Sequence, residues 1–483
     1  MKIDNNFKKK INKCVVRIVS EVIDINWNIP YLLEEPYTVQ GTGFFINSKG
    51  DILTCAHVVD SSKNLYIEIP FFGSDKYKCE VVTIIPQFDI ALIKCLDYKN
   101  KDFLELGNSD NLDVNTEVHV VGYPASLKLS LSNSNNLKFT SGIISGQQAG
   151  LIQTDSAINP GNSGGPLFCN NKVIGINSSK LVGESLENIG HAVPINNYKV
   201  IKDSIDNNNI IYRPNLLFNY NNSDKIIIKK LTNGKVDNGV IVSKVFDYSP
   251  FKNTYIKKDT IITEINDIKI DNYGLTSEYK WMGTNINIDI LLNKFINNEV
   301  VKVKYYNNEK SGVVNIKLES FVPPIRKLYP SFEFVDYFIF SGMIFMNFCK
   351  NHLEYIDNSD IRVMCTINNI EEQLKERLYV SYIFPNTKAS ILKNITKHNF
   401  IAKVNNSNVK NISQLKNALK KPIIINKIEY IKFEEKNGKS IILSVEDIIK
   451  EDIQFSKDYK YELNELHKKY MKKLNINIDI NKK

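Results

Sequence analysis

The chain has 483 residues, of which 43% are hydrophobic and 24% are charged, and its formal net charge is +9. This length predicts about three domains of roughly 100–200 residues each, and the supply of apolar and aromatic side chains excludes a globally disordered chain. The positive charge is spread along the sequence without a basic motif interleaved with aromatic residues, so we expect no nucleic-acid partner. Contact of the basic ends with RNA or anionic membranes is a weaker alternative.

Short strand patterns fill the sequence up to residue 195. An alternating pattern starts at Val15–Val19, a long loop is predicted over residues 24–38, and a hairpin through Gln40–Ile46 and Asp51–Thr54 leads directly to His57. Turn signals separate further strands at intervals of roughly 8–15 residues, and helical periodicity is nearly absent in this part. The pattern is typical of an all-β barrel or sandwich, and strand counting leaves these two open.

The stretch Asn159–Leu167 contains a serine, Ser163, with glycines on both sides. Glycine allows positive φ, which lets successive backbone N–H groups point into one small cavity. We therefore predict Ser163 as an acyl-transfer nucleophile beside an oxyanion hole made by the backbone N–H groups of Gly161, Asn162 and Ser163. The alternative is an ordinary Gly/Asn/Ser turn between two strands.

Two upstream segments supply the partners that such a serine needs. His57 follows a predicted strand, and Asp89 lies in the apolar run Phe88–Leu92, where a carboxylate requires a partner. We predict that His57 takes the Ser163 proton and later gives it to the leaving amine, while Asp89 holds the imidazole tautomer and stabilises the imidazolium. The remaining histidines lack such a context; His191 is expected near the cleft as a packing residue.

These motifs resemble those of the HtrA/Deg serine proteases, which are trypsin-fold enzymes that carry PDZ domains. Gly161–Pro166, with Thr154–Asn159 before it, resembles the family's nucleophile loop, Thr54–Val59 its histidine segment, Phe88–Ile93 its aspartate segment and Glu187–Ile195 the strand that closes its protease domain. The layout is most similar to the plant-type Deg proteases. The resemblance implies a mostly β fold, in which a trypsin-like double six-stranded β-barrel protease domain is followed by two PDZ-like α+β domains.

Domain boundaries follow from the linkers and from the resemblance. Leu217 stands where the carboxylate-binding loop of PDZ domains has a glycine, and Lys258 takes the place of another, which argues against capture of a free C-terminus through backbone amides. The expected regions are a trypsin-like protease domain at 1–208, a PDZ-like domain at 214–322, a second, divergent PDZ-like domain at 325–450 and a charged C-terminal helix or tail at 451–483.

The resemblance also suggests which residues contact a substrate. Ala157 lies where an acid would select Lys or Arg, and Ile158 follows it, so we expect cleavage after small or medium-sized aliphatic residues. Asn177, Ser178 and Ser179 are expected at the edge strand that pairs with the substrate backbone.

The resemblance implies an ATP-independent serine endopeptidase that hydrolyses unfolded or exposed protein segments. It also implies a homotrimer or a larger homo-oligomer, and it requires no metal or organic cofactor. A hypothesis from another class is a catalytically silent PDZ scaffold or chaperone, because an intact triad is inactive when its oxyanion loop is misfolded.

Cysteine usage and the N-terminus bear on location. The seven cysteines are odd in number and lack the spacing of a metal site, and most lie in apolar runs, as expected in a reducing compartment. No secretory signal pattern precedes Cys14, and the longest apolar run, Tyr337–Phe348, is too short to span a bilayer. We therefore expect a cytoplasmic location, with the nucleus as the alternative, and no membrane span.

Overall fold

The computed structural model describes residues 4–124, 136–179, 189–205, 210–307, 309–356 and 369–476. Predicted features that fall between these ranges, among them Glu187, Asn188 and Cys365, lie outside the described residues. The chain forms two compact units, called here unit 1 (Met1–Val22 and Pro36–Phe321) and unit 2 (Ile23–Glu35 and Val322–Lys483).

Unit 1 begins with a helix and a closed barrel of six antiparallel strands. The elements are α1 (Asn5–Cys14), β1 (Val15–Val22), β2 (Tyr37–Phe45), β3 (Asp51–Cys55), α2 (Ala56–Val59), β4 (Ser62–Glu68), β5 (Lys76–Ile85) and β6 (Ile90–Cys95). The barrel order is β1-β2-β3-β6-β5-β4. Because Cys55 pairs with Ile90 across β3 and β6, His57 and Asp89 lie just beyond the same end of two neighbouring strands.

Helix α1 departs from the prediction, which places almost no helical periodicity before residue 196. Asp4 caps the helix by accepting hydrogen bonds from the backbone N–H groups of Asn6 and Phe7. Ile11 and Cys14 are fully buried, and the Phe7 ring packs edge-on against Phe168 at 5.5 Å between ring centroids. A single apolar stripe therefore anchors an otherwise lysine-rich helix to the barrels.

A second closed barrel of six strands follows in unit 1. Its strands are β7 (Glu117–Gly122), β8 (Lys138–Gln148), β9 (Leu151–Thr154), β10 (Pro166–Cys169), β11 (Lys172–Ser178) and β12 (Gly190–Pro194), in the order β10-β11-β12-β9-β8-β7. The loop between β9 and β10 carries Ser163. The prediction of a double six-stranded barrel is confirmed, and the sandwich alternative is wrong, because both sheets close on themselves.

The rest of unit 1 is an α+β region that shares a hydrophobic core with the second barrel. Trp281 donates from Nε1 to the Ser109 carbonyl at 2.8 Å, and Lys294 pairs with Asp110 at 2.8 Å, so polar contacts also join the two parts. The elements that follow the second barrel are α3 (Ile195–Ile201), β13 (Phe218–Asn221), α4 (Lys225–Leu231), β14 (Val240–Val245), β15 (Ile261–Ile265), β16 (Ile268–Lys269), β17 (Leu275–Trp281), β18 (Thr284–Asn287), α5 (Ile288–Leu292), β19 (Val300–Asn307) and β20 (Lys310–Lys317). The main sheet has the order β13-β14-β15-β19-β20.

Unit 2 is built on one antiparallel sheet with helices packed against it. Its last helix contributes Leu466 and Tyr470 to the core, so the described part of the predicted charged helix or tail, residues 451–476, includes side chains that pack in this unit. The elements are β21 (Tyr337–Phe340), β22 (Met343–Asn347), α6 (Ile370–Gln373), β23 (Leu378–Ile383), α7 (Lys388–Leu392), β24 (Phe400–Val404), β25 (Ser407–Asn408), α8 (Ile412–Leu419), β26 (Ile423–Ile425), β27 (Ile428–Glu435), β28 (Ser440–Ser444), α9 (Val445–Asp458) and α10 (Glu465–Lys473).

Unit 2 also contains residues 23–35, the connection between β1 and β2. Trp27 packs edge-on against the buried His352 ring at 5.4 Å. Asn28 accepts a hydrogen bond from Ser381 at its carbonyl and contacts His398 through its side chain, both at 2.9 Å. The segment predicted as a loop is therefore held by residues more than 300 positions later in the sequence. None of the helices in the described ranges is long and apolar enough to cross a membrane.

Candidate active site

His57 and Asp89 form a direct hydrogen-bonded pair. The His57 Nδ1 atom lies 2.7 Å from Asp89 Oδ2 and 2.9 Å from Oδ1, and the His57 backbone N–H donates to Oδ1 at 3.0 Å. Helix α2 presents the imidazole, and the turn before β6 presents the carboxylate with Asp89 at φ 56°. The carboxylate thus fixes both the ring and the backbone of the histidine.

The surroundings of Asp89 favour its ionised form. Burial opposes the charge, but hydrogen bonds from His57 and Ser178 and the attraction of the imidazole together lower the pKa of Asp89. Ser178 donates from Oγ to Asp89 Oδ2 at 2.9 Å. A carboxylate held in this way can orient an imidazole and stabilise its protonated form.

Cys55 lies directly beside this pair. Its Sγ donates to the Asn177 carbonyl at 3.2 Å, and burial together with the nearby Asp89 charge raises the pKa of the thiol well above its ordinary value. Cys55, His57 and Asp89 each offer one donor atom, and these atoms lie within 4.8 Å of one another. The His57–Asp89 hydrogen bond accounts for the closeness of two of these groups, and the raised pKa of the Cys55 thiol disfavours the thiolate that a metal ion would bind.

Tight contacts with the first barrel hold the loop that carries Ser163. Thr42 donates from its backbone N–H to the Ser163 carbonyl at 2.9 Å and from Oγ1 to the Gly161 carbonyl at 2.7 Å. Gly164 has φ +87°, and a Cβ there would lie 2.1 Å from the Thr42 carbonyl oxygen and 3.0 Å from the Cys55 nitrogen. Only glycine fits this approach, and the approach brings Ser163 to the strand end that leads into His57.

The three predicted oxyanion donors differ in their present bonds. The Asn162 N–H donates to the Asn159 carbonyl at 3.0 Å within the loop. Within the described residues, the N–H groups of Gly161 and Ser163 donate no hydrogen bond. Two of the three predicted donors are therefore without a hydrogen-bond partner among the described residues, and the third already closes the turn.

Ser163 Oγ makes its hydrogen bonds to Ser179. The two hydroxyl oxygens lie 2.6 Å apart, and the Ser179 backbone N–H donates to Ser163 Oγ at 3.1 Å. Across the described residues, no hydrogen bond joins Ser163 to His57. The consecutive residues Ser178 and Ser179 thus contact the carboxylate and the serine respectively, which shows that the two ends of the constellation meet at the end of β11.

The predicted substrate contacts have different surroundings. Ala157 is exposed, whereas the side chains of Ile158, Asn177 and Ser178 are buried. Asn177 donates from Nδ2 to the Pro166 carbonyl at 3.1 Å and supports the nucleophile loop through its backbone. Their role in substrate binding stays a prediction. Because the Asn177 and Ser178 side chains are buried, these two residues could contact a substrate only through their backbone.

His191 is buried, and its Nε2 atom lies 2.9 Å from Gln148 Oε1. Burial lowers its pKa. The sequence patterns assigned no specific role to the side chains of Thr42, Ser178 and Ser179, although each contacts the constellation. The sequence placed Ser178 and Ser179 next to Asn177 at the predicted edge strand. It gave no indication of which distant residues their hydroxyl groups contact.

Known domain families match two parts of the chain. The trypsin-like peptidase domain family matches residues 41–176, and the PDZ domain family matches residues 331–463. Among the described residues, the first match contains His57, Asp89 and Ser163, and the second lies within unit 2.

Curated proteases are similar to this chain in sequence, and a solved protease shares its fold. The chain is 28% identical over 396 residues to "Protease Do-like 4, mitochondrial" of Arabidopsis thaliana, with 78% of this chain and 70% of that protein covered. It is 29% identical over 245 residues to a probable periplasmic serine endoprotease DegP-like protein of Chlamydia muridarum, and it spans 47% of that relative's length. A variant of the HtrA-type protease AlgW, solved with a decapeptide, matches with a TM-score of 0.50 at 18% identity over 66% of this chain and 98% of that chain, which shows the fold alone.

These relatives overturn the predicted location. They are named as mitochondrial and periplasmic proteins, so the expectation of a cytoplasmic, alternatively nuclear, protein is wrong. The cysteines on which that expectation rested are free and buried where the structure describes them. A buried thiol packs as a small hydrophobe, and its burial leaves the redox state of the compartment open.

Proposed function

We propose that the chain is a serine endopeptidase of the HtrA/Deg family and that Ser163, His57 and Asp89 form its catalytic triad. The Asp89–His57 pair carries this proposal. The carboxylate is bound by His57 Nδ1 at 2.7 Å and by Ser178 Oγ at 2.9 Å. In the described part of the chain His57 Nε2 has no hydrogen bond, which leaves it open to accept a proton.

In the proposed reaction Ser163 exchanges its hydrogen bond with Ser179 for one with His57 Nε2. Its oxygen then attacks the substrate carbonyl carbon while its proton passes to His57, and the new oxyanion accepts hydrogen bonds from the Gly161 and Ser163 N–H groups. His57 gives the proton to the leaving amine, so the carbon–nitrogen bond breaks, the amine departs and the acyl group stays on Ser163. A water molecule, activated by the same imidazole, releases the acid and restores Ser163.

Proteins and peptides are the substrates of this family, and for this chain we propose unfolded or exposed segments. Ala157 and Ile158 would border a pocket for small or medium-sized aliphatic residues, because neither side chain offers a charge to Lys or Arg. A homotrimer or larger assembly is also proposed. For the domains we propose the boundaries 1–208, 214–322, 325–450 and 451–483, with residues 23–35 packed in unit 2 although they lie within the first of these.

Digestion of casein by the full chain tests the triad. We expect the wild type to cut casein, and Ser163→Ala to lose about 10⁶-fold in kcat, since removal of the nucleophile has that effect in other triad enzymes. Ser61→Ala is the matched control, because the Ser61 hydroxyl donates to its neighbour Asp60 in the turn that follows helix α2, and this variant should cut like the wild type. Equal cutting by Ser163→Ala and wild type would rule out Ser163 as the nucleophile.

The alternative is a PDZ-containing scaffold or chaperone whose protease domain binds without cutting. The Ser163–Ser179 hydrogen bond favours it, because a serine held away from its base is unreactive. A wild-type chain that binds casein, yet neither cuts it nor reacts with a fluorophosphonate probe, would support this alternative.

A further inference from the structure

A cavity of about 390 Å³ opens in the α+β region of unit 1, between strand β13 and helix α5. Its walls include Asn215, Phe218, Asn219, Tyr220, Ser243 and Asp289. The cavity is lined mostly by polar side chains. Its lining residues all come later in the chain than the loop that carries Ser163. Its chemistry differs from that of a site for a terminal carboxylate in two respects.

The first difference is a backbone donor that is already used. Leu217 adopts φ +46°, the left-handed conformation that favours glycine. Its N–H donates to Asn215 Oδ1 at 2.7 Å. The amide at the position where a carboxylate-binding loop would offer a donor is therefore bonded to a side chain of the same loop, and a ligand carboxylate would have to displace it.

The second difference is the charge of the lining. Asp289 carries a charged side chain, and the other described residues that line the cavity are neutral. In the described part of the chain it has neither an ion pair nor a hydrogen bond, and it is open to solvent at the cavity. The protein around it removes part of its hydration and raises its pKa. A negative group in this position repels a terminal carboxylate and attracts a cation.

A further observation is an open strand edge. Strand β13 pairs with β14 through Phe218↔Val245 to Asn221↔Ile241 and is the last strand on its side of the sheet among the described residues. An unpaired edge can accept an extended peptide by backbone hydrogen bonds. The cavity walls would then receive the alternate side chains of that peptide.

We propose that this cavity binds an extended internal peptide segment along β13 and that Asp289 pairs with a Lys or Arg side chain of the segment, with no need for a free C-terminus. The ligand class is thus a basic stretch within a protein chain. The proposal does not depend on the catalytic roles of Ser163, His57 and Asp89.

The test uses immobilised pools of seven-residue peptides, each acetylated at the N-terminus and amidated at the C-terminus. The central residue is lysine, norleucine or glutamate, and the other positions are mixed. The full chain carrying Ser163→Ala is applied, and the amount retained is measured as a function of concentration. A fourth pool has the lysine sequence with a free C-terminal acid.

We expect the lysine pool to bind about tenfold more tightly than the norleucine pool, as for a partly desolvated charge-assisted hydrogen bond. Asp289→Asn should reduce that ratio to less than about twofold, and Asp289→Lys should shift the preference to glutamate. The matched control is Asp247→Asn, since Asp247 pairs with the exposed Lys252 and does not line the cavity; it should keep the ratio.

Two results would overturn the proposal. The first is equal retention on the lysine and norleucine pools, or a lysine preference that Asp289→Asn leaves intact. The second is a preference of more than about threefold for the free acid over the amide, which would show that the cavity captures a terminal carboxylate after all. Thermal unfolding of each variant confirms that the chain tested is folded.

Discussion

Two carboxylate–histidine pairs, one in each unit, have nearly the same geometry and different surroundings. In unit 1, His57 Nδ1 lies 2.7 Å from Asp89 Oδ2, and 18% of the histidine and 13% of the aspartate side chain are exposed. In unit 2, His467 Nε2 lies 2.8 Å from Asp452 Oδ2, and both side chains are fully buried. The hydrogen bond alone therefore does not distinguish a reactive pair from a structural one.

The other atoms of each pair make the distinction. Asp452 accepts hydrogen bonds from the N–H groups of Ser341 and Gly342, at 2.7 and 2.8 Å, in the turn between β21 and β22. The second ring nitrogen of His467 accepts from the Asn464 N–H at 3.2 Å and caps its own helix. Every polar end of this pair is thus used for structure, whereas no hydrogen bond reaches Nε2 of His57 from the described residues.

The largest effect that separates the pairs is on rate. Asp89→Asn should lower kcat by about 10⁴-fold, because an amide in this place stabilises the wrong imidazole tautomer. Cleavage of a peptide selected from casein fragments measures it. Asp452→Asn is the matched control and should leave kcat within about twofold when it is assayed at a temperature where both variants are folded. A loss below tenfold for Asp89→Asn would mean that this pair, too, is structural.

The second largest effect should be a loss of stability in unit 2 when the buried Asp452 carboxylate is removed. Asp452→Ala leaves a buried histidine and the Ser341 and Gly342 amides without their partner, so it should lower the free energy of unfolding of unit 2 by about 3–5 kcal/mol. The chain has two tryptophans, and Trp27 packs within unit 2 against Val335 and Met346. Urea unfolding followed by Trp27 fluorescence in a Trp281→Phe background isolates this unit.

The control for this prediction is Asp458→Ala at the exposed end of α9, where the carboxylate accepts a hydrogen bond from Gln454 one turn earlier. It should change the unfolding midpoint very little. If Asp452→Ala shifts the midpoint no more than Asp458→Ala does, the buried pair is not what holds the β21–β22 turn against α9 and α10.

Local context in the sequence separates the two pairs better than spacing does. Asp89 in an apolar run after a histidine segment indicates catalysis, and no such context surrounds His467, so the amino-acid sequence is enough to predict the reactive candidates. The regular short strands predicted an all-β barrel or sandwich, and the family resemblance predicted which of the two it is. The pairing of Cys55 with Ile90 across β3 and β6, which the motifs did not predict, places His57 and Asp89 at adjacent strand ends.

Other features depended on contacts that the sequence does not encode locally. The partner of residues 23–35 lies in a different unit from the strands that flank them, and no local pattern indicates it. Helix α1 is different, because Phe7, Ile11 and Cys14 lie at helical spacing among lysines; the sequence carried this signal, and the prediction missed it. The hydroxyls of Ser178 and Ser179 find their partners because the fold brings β11 to the strand ends of the other barrel.

The smallest effect concerns the serine that now holds the nucleophile. Ser179→Ala removes the hydroxyl that lies 2.6 Å from Ser163 Oγ and leaves the weaker backbone contact at 3.1 Å. A neutral hydrogen bond contributes about 0.5–1.5 kcal/mol net, so Ser163 should reach His57 more often, and the reaction with a fluorophosphonate probe should accelerate about two- to twelvefold. Ser179→Thr keeps the hydroxyl and should react at the wild-type rate.

Ser178→Ala is the matched opposite of this change, because it removes the donor to Asp89 at 2.9 Å from the neighbouring position. It should slow the probe reaction, since the carboxylate then orients His57 less firmly. If Ser179→Ala slows the reaction as well, the Ser163–Ser179 bond assists the nucleophile instead of restraining it. The open nitrogen of His57 would then be insufficient for reactivity, and the contrast with the His467–Asp452 pair would depend on Ser179 as much as on exposure.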